Sequence, residues 1–348
     1  MKILYQIPHL NSIYAARTIY QGYLHAFEDL GHQFLPLTAA GNQSELLAKF
    51  RPDILITSLG RYHLKYLNSD LIRSYKKAGL KVFVWLPFWK SPLSKTRVNE
   101  VLGVENNRKL RTVIESGLGD VFFNQCERED SRMAGFEEAT GYRHYTIPLA
   151  ADKTLHFPEY SERFKADISY IGTYLPEKRN FFKEQVFPLK RRYDLKLYGQ
   201  DWTLKDRLAG GCQKIGQYFN LPLLNSLQKP KLKLEDERKI YSSSLVSLNV
   251  HENYQREFGG DCNERTFKIP ACGGFEITDE VACIRKYFKE GEEIIIAKDK
   301  NDWFDKIDFY LRNPDERLKI IKAGRRRALR DHTYHNRVEE FLKIHKNL

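Results

Sequence analysis

The feature that most restricts what this chain can fold into is an alternation kept up along most of its length: a short β-type run, a turn, an amphipathic helical run, a glycine, then another β-type run. Residues 2–7 form the first such run, and Ile19, Tyr23, Ala26, Phe27 and Leu30 then recur at helical spacing before Gly31, a residue suited to a left-handed helix end. A second strand over 32–37 and a short helix over 44–50 follow. The breaker Arg51-Pro52-Asp53 introduces a strand over 54–59, and a helix over 67–78 ends at Gly79. The Val-Phe-Val-Trp-Leu run inside 81–86 reads as a strand buried on both faces. Strands over 120–124 and 145–149 close this half. Strands that alternate with helices in this way predict a parallel sheet wound by crossover helices.

Periodicity fades over 150–165, where Pro158, charges and aromatics mix, and the domain boundary belongs there. A second alternating unit begins with a strand over 168–172, a helix over 177–187 and a strand over 194–198. Residues 204–230, with Gly210-Gly211 and Pro222, read as irregular. A helix over 234–242 leads to a strand over 245–250, which delivers His251, Glu252 and Asn253 at its carboxyl end. Strands over 275–278 and 292–297 and helices over 302–311, 314–330 and 335–345 complete the pattern. The expected fold is α/β, two Rossmann-like domains facing a central cleft: a first domain over 1–150, a second over 151–331, and a C-terminal helix over 332–348 that packs back toward the first. Ligands of open parallel sheets lie beyond the carboxyl ends of the strands, so the loops Pro8-His9-Leu10-Asn11 and Pro87-Phe88-Trp89-Lys90-Ser91-Pro92 are candidate cleft walls.

Length and composition narrow the function. At 348 residues the chain suggests about two domains of ordinary size. No run approaches the ~18–20 apolar residues of a membrane span, and the N-terminus reads as a first strand rather than a signal peptide, so residence in the cytoplasm is expected. Five cysteines without Cys-x-x-Cys spacing imply neither a disulfide framework nor a zinc site. His-Glu-x-x-His and Gly-x-x-x-x-Gly-Lys runs are missing too. The formal charge of +12 favours polyanionic partners: phosphorylated small molecules, DNA, or an anionic membrane surface reached from the inner face.

Three pieces of the second half carry chemistry. Gly172-Thr173 ends a strand, and Lys178 and Arg179 follow at a helix start, which combines close backbone approach with cations. His251-Glu252 ends another strand and supplies an acid, a base or a partner for a sugar hydroxyl. Residues 263–279 bring Asn263, Arg265 and Lys268 at a second helix start, then Gly273-Gly274 before a new strand. Free N–H groups and two cations at one helix end suit a phosphate-bearing ligand.

The order Ile168-Ser-Tyr-Ile-Gly-Thr, Leu195-Lys-Leu-Tyr-Gly-Gln-Asp-Trp, Asn263-x-Arg-x-Phe-x-Ile-Pro-Ala-Cys-Gly-Gly-Phe and Thr333-Tyr-x-x-Arg337 resembles the CgeB-type, spore-maturation-protein-like glycosyltransferases of the GT-B class. Pro148-Leu-Ala-Ala-Asp also fits that group. The resemblance covers about half of the chain, mostly from Tyr145 onward. It implies an enzyme that needs no metal or other cofactor, with a nucleotide-sugar held by the second domain and the acceptor by the first. By that analogy Arg179 and Arg265 hold the diphosphate, with Gly172 and Thr173 approaching through the backbone. These groups would also stabilise charge that grows on the leaving diphosphate.

One position departs from the pattern: where the family has a Glu expected to bind the ribose, this chain has Lys268, and an ammonium cannot accept from hydroxyls. The catalytic base is assigned by position to His9 in the first strand-end loop, with His63 behind it. Glu252, the other candidate catalytic residue, is better suited to hydrogen-bond the donor sugar. The expected function is glycosyl transfer to an envelope glycan, lipid-linked or peptidic acceptor. A DNA-modifying glycosyltransferase and a non-catalytic binding protein on a decayed GT-B scaffold are the alternatives.

Overall fold

The computed structural model describes residues 1–10, 15–91 and 103–348. Asn11 and Pro92, the far ends of the two candidate wall loops, fall outside the described residues. The chain forms two compact units. The first joins Met1–Pro148 with Gly216–Asn225 and Arg337–Leu348; the second joins Leu149–Ile215 with Ser226–Asn336. Residues 216–225, expected in the second domain, therefore belong to the first unit.

The first unit is built on six parallel strands: β1 (Lys2–Gln6), β2 (Gln33–Leu37), β3 (Ile54–Ser58), β4 (Lys81–Trp85), β5 (Val121–Asn124) and β6 (His144–Thr146), in the order β2-β1-β3-β4-β5-β6. Pro36 lacks an N–H and is tolerated because β2 is the edge strand, where Pro36 pairs with Tyr5 of β1. Central β4 buries Val82, Phe83 and Val84 completely, as its unbroken apolar run predicts. The helix Ala15–Asp29 turns Tyr20, Tyr23, Ala26 and Phe27 onto the sheet. Of the aromatic loop after β4, Trp89 is buried edge-on to Phe136 and Phe88 packs on the same core beneath the Arg132 guanidinium. These two rings fill the core of this unit instead of forming a cleft wall. The last helix, Tyr334–Lys346, inserts Phe341 edge-on against Phe83 and Phe123.

The second unit has five parallel strands: β7 (Ala166–Ile171), β8 (Leu195–Tyr198), β9 (Ser244–Asn249), β10 (Glu276–Asp279) and β11 (Ile295–Ala297), in the order β11-β10-β9-β7-β8. One face packs Ile168, Tyr170, Val246, Leu248 and Ile277 with the helical run that follows β7. Along β9 the residues between these apolar ones are polar: Ser247 and Asn249 are fully buried, and His251 just beyond the strand continues the alternation. The helix Arg265–Ala271 covers that polar face.

The stretch 204–230 is not irregular throughout, because Leu204–Phe219 is a 16-residue helix. Its Gly210 lies so close to Gln228 that a Cβ would sit 2.6 Å from the Gln228 Oε1, so the glycine marks a packing contact and not a break. Its large apolar residues point outward, and that hides the helix from a pattern that assumes an apolar buried face.

Candidate functional site

Parallel sheets bind ligands beyond their carboxyl ends, and in the second unit the chemistry converges there. β7 runs out into Gly172 and Thr173. The Gly172 N–H donates to the Tyr198 carbonyl at the end of β8 (3.0 Å). Gly199, at φ +118°, lies against the Gly172 carbonyl with no room for a Cβ. The two glycines let neighbouring strand ends touch. The indole of Trp202 caps the pair by donating to the Gly172 carbonyl at 3.2 Å, and it stacks on Tyr174.

The cations group around the end of β9. Lys178 is buried; its Nζ donates to the Val250 carbonyl at 2.8 Å and pairs with the Glu252 carboxylate at 2.7 Å. The Arg265 guanidinium donates from Nη2 to the same carbonyl (2.9 Å) and from Nε to Asn249 Oδ1 (3.0 Å), and it lies over the Tyr170 ring. Arg179 is half-buried over Tyr174, and its Nε is a buried donor with no hydrogen-bond partner among the described residues. Burial pushes the Glu252 carboxyl upward, but Lys178 and Arg265 outweigh it and hold the group below the ordinary carboxylate value. Glu252 is therefore an anion that fixes Lys178.

Asn249 holds Arg265 in place. Its Oδ1 accepts from Arg265 Nε and from Asn263 Nδ2 (2.9 Å), and its Nδ2 donates to Thr266 Oγ1 (3.0 Å) and Glu276 Oε1 (2.7 Å). Asn263 Oδ1 also accepts from the Arg265 N–H at 3.0 Å, in the turn that leads into the following helix. Sequence reasoning missed Asn249 and Glu276. The signal was present in the alternation Ser247, Asn249, His251, which places polar groups on one face of an otherwise apolar strand.

Several expected site residues do other work. His251 is fully buried: its Nδ1 meets Asp279 Oδ1 at 2.6 Å, its Nε2 meets Thr266 Oγ1 at 3.3 Å, and its N–H donates to the same Asp279 carboxylate, so it braces β9 against β10 and has no face for a sugar. Lys268 does not present its ammonium at an open helix start. It is buried between Glu264 Oε2 (2.9 Å) and Glu237 Oε2 (3.3 Å), one turn back and across on the helix Leu234–Ser243. Gly273 and Gly274 follow the carboxyl end of the helix Arg265–Ala271 and precede β10, at the amino edge of the sheet, opposite the strand ends. Gly273 takes φ +70° beside Pro158, and a Cβ on Gly274 would meet the Tyr241 carbonyl at 3.0 Å, so packing accounts for both.

In the first unit, His9 Nε2 donates to the Gln217 carbonyl at 2.7 Å, and the ring stands edge-on to Tyr66. A carbonyl only accepts, so Nε2 carries the proton and Nδ1 is the basic nitrogen. Burial lowers the His9 pKa, opposed in part by the Gln217 carbonyl. His63 is buried more deeply, and burial lowers it to about 4, so it stays neutral through the physiological range.

Two parallel-sheet units, one with cations grouped at its strand ends, are the architecture of the GT-B fold. Residues 179–343 match the Glycosyl transferase-like family. The chain is 22% identical over 311 residues to the spore protein CgeB of Bacillus subtilis (strain 168), covering 85% of this chain and 84% of that protein. Its fold is similar to an alpha-glucosyltransferase solved with UDP (TM-score 0.67, 13% identity, 99% of each chain), solved also with UDP and a 13-mer DNA (TM-score 0.63). It is similar too to the sucrose-phosphate synthase of Thermosynechococcus elongatus (TM-score 0.64, 12% identity, 100% of this chain and 98% of that one). The family match and the similarity to CgeB support a CgeB-like glycosyltransferase with a GT-B fold.

Proposed function

We propose that this enzyme transfers a sugar from a uridine diphosphate sugar to an envelope glycan, lipid-linked or peptidic acceptor, without a metal ion. The observation that carries the donor assignment is the group of cations at the end of β9, Lys178, Arg179 and Arg265, beside the Glu252 carboxylate, while the nearby Asp279 carboxylate is engaged by His251 and Arg256. Arg265 is held by Asn249 and the Val250 carbonyl through Nε and Nη2, which leaves Nη1 for a phosphate oxygen. The buried Arg179 Nε gains a partner when the diphosphate binds. As the bond from sugar to phosphate breaks, the negative charge that develops on the leaving diphosphate falls beside these guanidiniums, which lowers the barrier. Thr173 offers its hydroxyl and N–H at the same strand end. The proton of the acceptor hydroxyl goes to His9 Nδ1, the basic nitrogen of a ring already neutral at pH 7.

Isothermal titration with UDP, ADP, GDP and CDP tests the donor assignment. UDP is expected to bind, and Arg265→Gln and Arg179→Gln are each expected to weaken it about tenfold, in line with the loss of one charge-assisted bond. Absence of binding by all four nucleotides would sink the proposal. The likeness to an enzyme solved with DNA, together with the +12 charge, supports a second reading in which hydroxylated bases of DNA are the acceptor. Duplex binding that falls steeply with salt, with sugar transfer to hydroxylated but not plain duplex, would favour that reading. A non-catalytic scaffold is the further reading: the Lys268 ammonium is taken up by Glu237 and Glu264, and position 268 offers no carboxylate to a ribose.

A further inference from the structure

The helix Leu204–Phe219 is amphipathic in the wrong sense for a soluble protein. The side it turns inward is polar or small. Asp206, Gly210 and Gln213, at i, i+4 and i+7, are buried, and Gln228 ties them down: its N–H donates to Gln213 Oε1 at 2.8 Å and its Nε2 to the Asp206 carbonyl and Asp201 Oδ1, each at 3.0 Å. The side it turns outward carries Leu204, Leu208 and Ile215, at i, i+4 and i+11, and they are 65%, 63% and 54% exposed. Leu227, just after the next turn, is exposed too. Single exposed leucines are ordinary, but an aligned stripe on one helix is not. Polar bonds anchor the helix, so the stripe is not there to hold it to the fold.

The charges around the stripe are mainly basic. From residue 204 to residue 233 the chain carries Lys205, Arg207, Lys214, Lys229, Lys231 and Lys233 against one acid, Asp206, which is buried and paired with Lys231 at 3.4 Å; just beyond, Glu235 pairs with Lys233 at 3.8 Å. All five lysines are exposed.

We propose that this face is a membrane-docking surface that seats on an anionic lipid bilayer, with the Leu204–Leu208–Ile215 stripe entering the acyl boundary and the flanking lysines meeting lipid phosphates. Apolar side chains on one side of a helix, with an excess of cations beside them, are what an interfacial helix needs. A second copy of the chain fits poorly, because a two-fold contact along the stripe would bring Lys205 and Lys214 near their own counterparts. A nucleic-acid backbone would satisfy the lysines and leave the stripe without a partner. The helix lies on the surface and does not span it: no helix of the described residues is long and apolar enough to cross a membrane. The surface does not depend on the donor assignment; if both hold, it delivers the enzyme to a lipid-linked acceptor.

Co-sedimentation of the full chain with phosphatidylglycerol vesicles and, in parallel, phosphatidylcholine vesicles tests this. Binding to the anionic vesicles is expected, at least tenfold stronger than to the zwitterionic ones. The variant Leu204→Ser/Leu208→Ser/Ile215→Ser should lose at least tenfold of that binding while keeping its melting temperature and its UDP affinity. Leu208→Trp adds a direct reading, since its emission should shift to the blue only with anionic vesicles. Equal sedimentation of wild type and the triple-serine chain, or no blue shift, overturns the proposal and leaves only surface adsorption by charge. No vesicle binding, with a dimer that the triple-serine variant disperses, also overturns it and assigns the face to a second copy. A chain that binds UDP but no vesicles overturns this proposal alone; one that binds vesicles but no nucleotide leaves it standing and removes the donor assignment.

Discussion

At neutral pH, Glu276 carries a proton. Burial raises its pKa to about 8, against the opposing effects of the Asn249 hydrogen bond and the Arg265 charge, and its Oε2 has no partner among the described residues. The unfolded chain ionises this group near 4.5 while the folded chain does not, so its contribution to stability is fully present below pH 4.5 and is lost as pH rises toward 8. Glu276→Gln should remove that loss. Urea unfolding from pH 5 to 8 should show the variant gaining on wild type by up to about 1.4 kcal/mol per pH unit, whereas parallel curves would mean that Glu276 is ionised in the fold. Glu237 behaves in the opposite way. Burial raises its pKa, but Lys268 and His156 outweigh that and bring it to about 2, so its contribution is present above pH 4.5 and is lost as pH falls toward 2. Lys268 is therefore a core ion between two carboxylates, and Lys268→Glu would place three carboxylates together. The expected cost is about 3–5 kcal/mol by urea unfolding, because a buried charge loses its partner. Adding Glu237→Lys should recover part of it. A Lys268→Glu chain as stable as wild type would show that the ammonium is not needed where it lies.

The junction of β7 and β8 depends on a backbone that only glycine supplies. An alanine at 199 would have to hold φ +118° and force its Cβ into the Gly172 carbonyl. Gly199→Ala should cost about 2–4 kcal/mol, from a disfavoured backbone plus overpacking, and it should weaken UDP because Gly172 and Thr173 shift with it. Loss of stability without loss of UDP affinity would remove Gly172 and Thr173 from the ligand site. Elements of this kind were legible in the sequence. Strands β1, β3, β4 and β7 announce themselves as apolar runs, and the positive-φ glycines at 31 and 79 stand where helices stop. Lys178 and Arg265 were legible as well, as cations at helix starts, and Glu252 as a carboxylate just past the end of β9. What escaped was whatever required knowing which face of an element looks inward. The helix Leu204–Phe219 escaped because its apolar stripe faces out, and Asn249 because a lone amide inside an apolar strand looks like noise until the covering helix is placed. Gly273 and Gly274 were drawn into the site by their closeness in sequence to Arg265. A helix of seven residues separates the two ends by a sheet's width, and sequence distance does not register that.

At the scale of the whole chain, sequence order and packing order differ. Arg337 lies beyond the last strand of the second unit, yet its Nε donates to the Pro148 carbonyl at 2.9 Å, and the helix it begins to commit to the first unit carries Phe341 onto Tyr23, Phe83 and Phe123. The first unit is thus closed by residues 337–348, distant in sequence from its strands, and its core is incomplete until they pack. Phe341 is the test of this. It is buried and meets three rings from the helix Ala15–Asp29, β4 and β5, so Phe341→Ala removes a contact shared by that helix and two strands of the first unit. The expected cost is about 3–5 kcal/mol, as for other large aromatic truncations in cores. Because Lys178, Arg179 and Arg265 belong to the second unit, UDP affinity measured well below the melting transition should stay within about twofold of wild type, less than the ~1.4 kcal/mol of a tenfold change. Calorimetry should then show the early part of the melt moving down while added UDP still raises the remainder. If Phe341→Ala abolished nucleotide binding at a temperature where the chain is folded, the donor pocket would depend on the first unit's core, and the two units would not act as separable bodies.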